Sequence, residues 1–311
     1  MALLTREAKG VFAISPTPFD EDGAVDFDSL RRLVDFYESV GVTGITLLGQ
    51  MGEAPKLSHD EATRIVGQVL QWTRLPVVVG VSAPGYAAMR ELTSDVMAAG
   101  AAGVMVAPPN TLRTDDQIVG YYEGVAAALG DSVPLVLQDY PLSFSVVMSP
   151  KVVARIARVV PSCVMLKHED WPGLEKISAL RDFEAAGEMP RLSILCGNGG
   201  LFLDFEVERG ADGAMTGYCF PEMLVDVIGH AAAGRLDEGH DIFDAHLPLL
   251  RYEQQPGIGL AVRKYVMKRR GLLASDAQRA PRGVLSSRAR SEIDYLLARL
   301  GHRDSRMKLV A

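Results

Sequence analysis

Cysteine is scarce. Cys163, Cys196 and Cys219 are the only three in 311 residues, an odd number without a CxxC pair. That excludes a disulfide framework and points to reduced thiols in a cytoplasmic protein. Long apolar runs are missing as well. No stretch approaches the ~18 uncharged apolar residues of a membrane span. Arg6, Glu7 and Lys9 stand where a signal peptide needs its apolar run. The six histidines include no HExxH, and His240 and His246 are spaced too unevenly to share a helix face, so no metal is expected. Gly197-Asn198-Gly199-Gly200 falls short of the GxGxxG spacing, so no nucleotide cofactor is expected either.

Net positive charge is lacking overall but not locally. The chain carries −7, yet from Arg263 onward 13 basic residues face 4 acidic ones, a balance of +9 that leaves −16 for the rest. A basic tail can mark a nucleic-acid surface. Here the charges interleave with helical apolar positions (Tyr295, Leu296, Leu300). A helix face meeting an acidic body or a neighbouring subunit is therefore expected, with neither nucleic acid nor membrane as a partner.

What is present is a repeat of short apolar runs and longer amphipathic stretches. The runs are Val11–Ser15, Gly44–Gly49, Pro76–Val81, Ala102–Ala107, Val133–Asp139, Ser162–Lys167, Ser193–Gly197 and Gly213–Gly217. Most lack the polar alternation of a half-exposed strand, which is the pattern of parallel strands covered on both faces. Ser58–Glu61 and Thr114–Gln117 fit the capping box, and Ser149-Pro150 reads as an N-cap followed by proline at the first helical position. Eight strands each followed by a helix predict a (β/α)8 barrel over residues 1–234. Helical periodicity around Arg235–Glu253, Gly259–Arg270 and Ser286–Leu300 predicts a C-terminal helical extension, 235–311, packed on the barrel. A doubly wound sheet is the competing arrangement, but it rarely keeps eight regular repeats.

In such a barrel the chemistry sits at the C-terminal strand ends. Lys167 ends the sixth run, and a period of two places Cys163, Met165 and Lys167 on one face, towards the barrel interior. A buried lysine is costly unless it is paired or neutral, and a neutral amine adds to ketones to give an iminium electron sink. The plainer alternative is a lysine paired with Glu169 in solvent. The Gly49-Gln50-Met51-Gly52-Glu53 turn can aim backbone N–H groups of Gln50, Met51 and Gly52 at a carboxylate. Gly197, Asn198 and Gly217, after the seventh and eighth runs, are candidates for holding polar groups of the substrate. In Gln138-Asp139-Tyr140, residues 138 and 140 share the site face and Asp139 points away. Gln138 can bond a carbonyl or hydroxyl, whereas the Tyr140 phenol can also move a proton. His168 should face the helices, and His59 should be exposed in a first turn.

These motifs, in this order, resemble the dihydrodipicolinate synthase / N-acetylneuraminate lyase family of class I aldolases. The resemblance runs almost end to end, through Ser15–Phe19, the GxxGE loop with Leu57–Glu61, Val164–Lys167, Gly197–Gly199, and Gly271–Leu273 before Pro281. It implies a homotetrameric barrel whose Lys167 forms a Schiff base with pyruvate or another 2-oxo acid, for aldol cleavage, condensation or dehydration. Departures are also evident. The loop's usual hydroxyl pair is Gln50 and Met51, the family's catalytic tyrosine is Gln138, the synthase arginine falls near Ser143, and its paired tyrosines fall at Pro109-Asn110. Together these argue against dihydrodipicolinate synthesis. The expected function is a Schiff-base-forming lyase, an aldolase or dehydratase, using Lys167, Tyr140 and Gln138; the alternative is a non-catalytic metabolite-binding barrel that keeps the lysine.

Overall fold

The computed structural model describes residues 2–170, 173–304 and 309. Strands β1 (Gly10–Ile14), β2 (Gly44–Leu47), β3 (Val77–Gly80), β4 (Gly103–Val106), β5 (Leu135–Asp139), β6 (Cys163–His168), β7 (Ser193–Cys196) and β8 (Gly213–Ala214) pair in sequence order into a closed parallel barrel. Each falls within or beside one of the expected apolar runs. β8 is only two residues long. Beyond it Met215 N–H still donates to Cys196 O at 2.9 Å and Thr216 O accepts from Ile14 N–H at 3.0 Å, and Thr216 and Gly217 line the barrel mouth.

Helices α1 (Phe27–Ser39), α2 (His59–Trp72), α3 (Tyr86–Ala99), α4 (Asp115–Leu129), the short α5 (Pro141–Phe144), α6 (Pro150–Val159), α7 (Leu174–Ala185), α8 (Leu203–Glu208) and α9 (Pro221–Ala232) follow the strands. The (β/α)8 architecture is as expected. Both capping boxes form, at Ser58/Glu61 and Thr114/Gln117, and Ser149 caps α6 ahead of Pro150. Each answers backbone N–H groups that a helix start leaves without intrahelical partners.

Two apolar layers hold the barrel. Inside it, Phe12, Ile14, Val78, Met105, Val136, Met165, Leu195 and Met215 fill the lumen. Outside it, a larger cluster joins the strands to the surrounding helices. Strand parity therefore decides which layer a residue joins, and in β6 the parity breaks. A register shift opposite Leu135/Val136 pairs Leu135 with Cys163 and then Val136 with Met165, leaving Val164 as the extra residue. Cys163 consequently joins the outer layer, while Met165 stays in the lumen. The expected single face for Cys163, Met165 and Lys167 holds only for the last two.

Three further helices, α10 (Leu236–Glu253), α11 (Gly259–Arg269) and α12 (Ser287–Gly301), complete the chain. The basic C-terminal segment does meet an acidic body. Arg263 bonds Glu253, Lys264 bonds Glu53, Arg270 bonds Glu222, and Arg279 grips Glu61 with both terminal nitrogens. Through these contacts α11 is drawn to the C-terminal mouth of the barrel. Among the described residues no helix is long and apolar enough to cross a membrane.

Candidate active site

A cavity of about 50 Å³ lies at the C-terminal mouth, with Lys167, Gln138, Tyr140, Gln50 and Met51 in its wall. A larger groove, about 770 Å³, opens at the opposite end, where Val11, Val207, Val225, Ile228 and Leu236 line it. That groove is mostly apolar, with Lys9, Thr43, Glu208 and Asp212 among its lining residues. The smaller cavity lies at the end of the barrel where enzymes of this architecture keep their chemistry.

Lys167 is 3% exposed and its Nζ lies 3.0 Å from Glu169 Oε2. The lysine is thus both barrel-facing and paired. The pairing with Glu169 was expected only in solvent, but the carboxylate is buried too. The same Oε2 accepts from Gln138 Nε2 at 2.7 Å. Gln138 and Lys167 are register partners on adjacent strands, so their side chains leave the sheet side by side. The Glu169 backbone is held at both ends: its N–H donates to Asp139 O at 2.8 Å, and its carbonyl accepts from Asn198 Nδ2 at 2.9 Å.

Gly197 explains how a carboxylate fits there. A Cβ at Gly197 would stand 2.1 Å from Glu169 Cγ, so only glycine leaves room. Gly197 itself is not in the cavity wall, and neither is Gly52, whose carbonyl accepts from Thr17 Oγ1 at 2.6 Å. Both were expected to touch substrate; in the structure both shape the loops beside the cavity. Asn198 and Gly217 do reach the wall.

Tyr140 is half-buried beyond the end of β5, its ring edge-on to Phe144. Burial, with the Glu169 carboxylate adding to it, pushes the phenol pKa above its ordinary value. Gln50 Nε2 donates to Ser143 Oγ at 2.6 Å and so ties the loop after β2 to the loop after β5. Behind that loop Glu53, in the left-handed region at φ 55°, accepts from Lys264 Nζ at 2.7 Å and Lys56 Nζ at 2.9 Å. Burial pulls the Lys264 pKa down to about 8 against the opposing pull of Glu53. The loop that should meet a carboxylate is therefore fixed from below by a buried ion pair.

Asp139 faces the helices, as its parity requires, and bonds Lys176 Nζ at 2.5 Å. His168 is beside it, buried, with Nε2 3.1 Å from the Gly173 carbonyl. Burial, then the nearby Lys176 ammonium, push the His168 pKa down to about 4. The unfolded chain takes up that proton first, so this contribution to stability is complete above pH 6.5 and is lost as pH falls towards 4. Asp139, pushed up to about 6 by burial, acts in the opposite sense within the same window. The informative quantity is thus a difference: between pH 6.5 and 4, the urea midpoint of the wild type should fall more steeply than that of His168→Asn. Parallel curves would contradict it. His59 is exposed, as expected, and pairs with Asp95.

Six residues of the wall were not foreseen as site residues: Ile14, Glu169, Gly199, Thr216, Gln254 and Arg263. Glu169 was legible, because the i, i+2 parity that groups Gln138 with Tyr140 also groups it with Lys167. Arg263 and Gln254 come from the C-terminal helices, and nothing local in the sequence points them at the barrel.

The chain matches the Dihydrodipicolinate synthetase family over residues 7–300. It belongs to that family. It is 30% identical over 304 residues to an L-2-keto-3-deoxyarabonate dehydratase of Azospirillum brasilense, covering 95% of this chain and 96% of that protein. It is 29% identical to a 4-hydroxy-tetrahydrodipicolinate synthase of Chlorobium luteolum, covering 96% and 99%. Among solved structures, one described as a dihydrodipicolinate synthase from Rhodopseudomonas palustris is 61% identical, with a TM-score of 0.95, covering 96% of this chain and all of that one. This dihydrodipicolinate synthetase family member is accordingly an enzyme, a lyase of the class I aldolase type.

Proposed function

We propose that this enzyme forms a Schiff base between Lys167 and a 2-oxo acid, and that it dehydrates a 4-hydroxy-2-oxo acid of the sugar-acid kind. The observation that carries the reading is the buried Lys167–Glu169 contact, with Gln138 beside it where the family keeps a phenol. A dehydratase needs one group that removes the C3 proton and returns it to the departing C4 hydroxyl. A carboxylate placed 3.0 Å from the imine nitrogen can do both. The likeness to a keto-deoxy sugar-acid dehydratase supports the same reaction, and the four departures from the synthase pattern speak against condensation.

In the sequence of steps, Glu169 takes a proton from Lys167 and the neutral amine adds to the 2-oxo carbon. The substrate carboxylate lies against the Gln50–Met51 backbone. Glu169 returns the proton as the carbinolamine loses water to give the iminium. It then takes the C3 proton, leaving an enamine. The enamine electrons expel the C4 hydroxyl, which leaves as water with that proton. Hydrolysis of the imine releases the product and restores Lys167.

Borohydride with pyruvate tests the first bond. One reduced pyruvyl adduct per chain is expected by intact mass, mapped to Lys167 by peptide digestion. Adduct on another lysine, or none, would remove the reading. The family likeness also leads us to infer a D2 homotetramer. Light scattering at micromolar concentration should give about four times the 33.6 kDa chain mass, and a monomer would contradict it.

A further inference from the structure

We infer that Arg263 and Gln254 form a distal subsite, built by the C-terminal helices, that recognises a hydroxyl at the far end of the substrate chain. The inference rests on the 2-oxo acid reading above. Arg263 sits mid-way along α11 and is 1% exposed. Its Nε donates to Glu253 Oε1 at 2.6 Å and its Nη2 donates to the Gly217 carbonyl. Its Nη1 is buried, and among the described residues no group accepts from it. Gln254, immediately after α10, has a buried Nε2 that is likewise without an acceptor. Both residues are in the wall of the Lys167 cavity.

Two glycines keep these donors where they are. A Cβ at Gly217 would fall 1.8 Å from Arg263 Nη1, and one at Gly199 would fall 2.1 Å from Gln254 Nε2. Gly199 is also held by its N–H to Thr216 Oγ1 at 2.7 Å. Unmet buried donors are costly to a folded protein, and two of them on one cavity wall mark where a ligand oxygen belongs. The charge balance selects the kind of oxygen. Arg263 is already neutralised by Glu253, whose other oxygen accepts from Cys219 N–H at 3.1 Å. A second substrate carboxylate would bring an uncompensated charge into this buried wall, whereas a hydroxyl offers acceptor lone pairs without a charge. Sites that hydrogen-bond a substrate hydroxyl discriminate strongly against the analogue lacking it.

Three five-carbon probes that cannot dehydrate separate the possibilities: 5-hydroxy-2-oxopentanoate, 2-oxopentanoate and 2-oxoglutarate. The readout is the concentration giving half-maximal borohydride adduct by intact mass, with pyruvate as reference. The wild type should favour the hydroxylated acid over 2-oxopentanoate by about tenfold or more. That ratio should fall towards one in Gln254→Leu and in Arg263→Lys, which keeps a cation opposite Glu253. Should the lysine variant fail to fold, Gln254→Leu decides alone. A ratio that survives in the folded variants overturns the subsite, as does a wild type that prefers 2-oxoglutarate. A wild type that traps pyruvate yet shows no preference overturns the subsite and leaves the Schiff base standing. One that traps no pyruvate overturns both.

Discussion

Replacing Lys167 with alanine is expected to abolish the trapped pyruvyl adduct and lower turnover on the order of 10⁶-fold, the scale of deleting a covalent nucleophile. The substitution does a second thing. It leaves Glu169 buried at the barrel mouth without its ammonium, and breaking a buried pair from one side typically costs about 3–5 kcal/mol. A dead alanine variant could therefore be dead because it has loosened. Lys167→Arg separates the two effects. A guanidinium still opposes Glu169 but is too weak a nucleophile to condense with a ketone. The arginine variant should melt closer to the wild type than the alanine variant does, and it should take no label. If it labels as the wild type does, the imine is elsewhere. The site to examine would then be Lys176, the other buried lysine of this region, which is held by Asp139 and Asp170 on the helix side of the sheet.

Which parts of this were readable from sequence follows from the range of the interactions involved. The eight apolar runs report burial on both faces of each strand, a local property, and they locate the strands. The capping boxes at Ser58 and Thr114 are closed within four residues and form as written. Parity in β6 failed at Cys163 because the extra residue at Val164 is set by pairing with β5, which sequence periodicity does not record. The Glu53–Lys264 and Arg263–Gly217 contacts join residues far apart in the chain. The charge asymmetry led to the expectation that the C-terminal segment meets an acidic body or a neighbouring subunit, but not that α11 would send one basic side chain into the cavity and its neighbour beneath the GxxGE loop. Glu169 is a different case. It was weighed as a solvent partner of Lys167, when the strand rule applied to Gln138 and Tyr140 places it on the site face.

Glu169→Gln is expected to lower turnover by about 10²–10⁴-fold, the usual contribution of a general acid–base group, while pyruvate is still trapped on Lys167. The amide preserves size and can accept from Gln138 Nε2, so the barrel mouth should stay packed. What it loses is the capacity to hold a proton between C3 and the departing hydroxyl. Imine formation should slow, because the amine must find another proton acceptor, but borohydride drains the iminium and label accumulates with time. Tyr140→Phe is the matched comparison. The Tyr140 ring packs on Phe144, and phenylalanine keeps that contact. The phenol pKa is raised by burial and by the Glu169 charge, which favours the protonated phenol and leaves the role of base to the carboxylate already in contact with the lysine. Turnover in Tyr140→Phe should therefore fall much less than in Glu169→Gln. The reverse order, with a nearly silent glutamine and a crippled phenylalanine, would return the proton to Tyr140. It would leave Glu169 as the counter-ion that holds Lys167 in place.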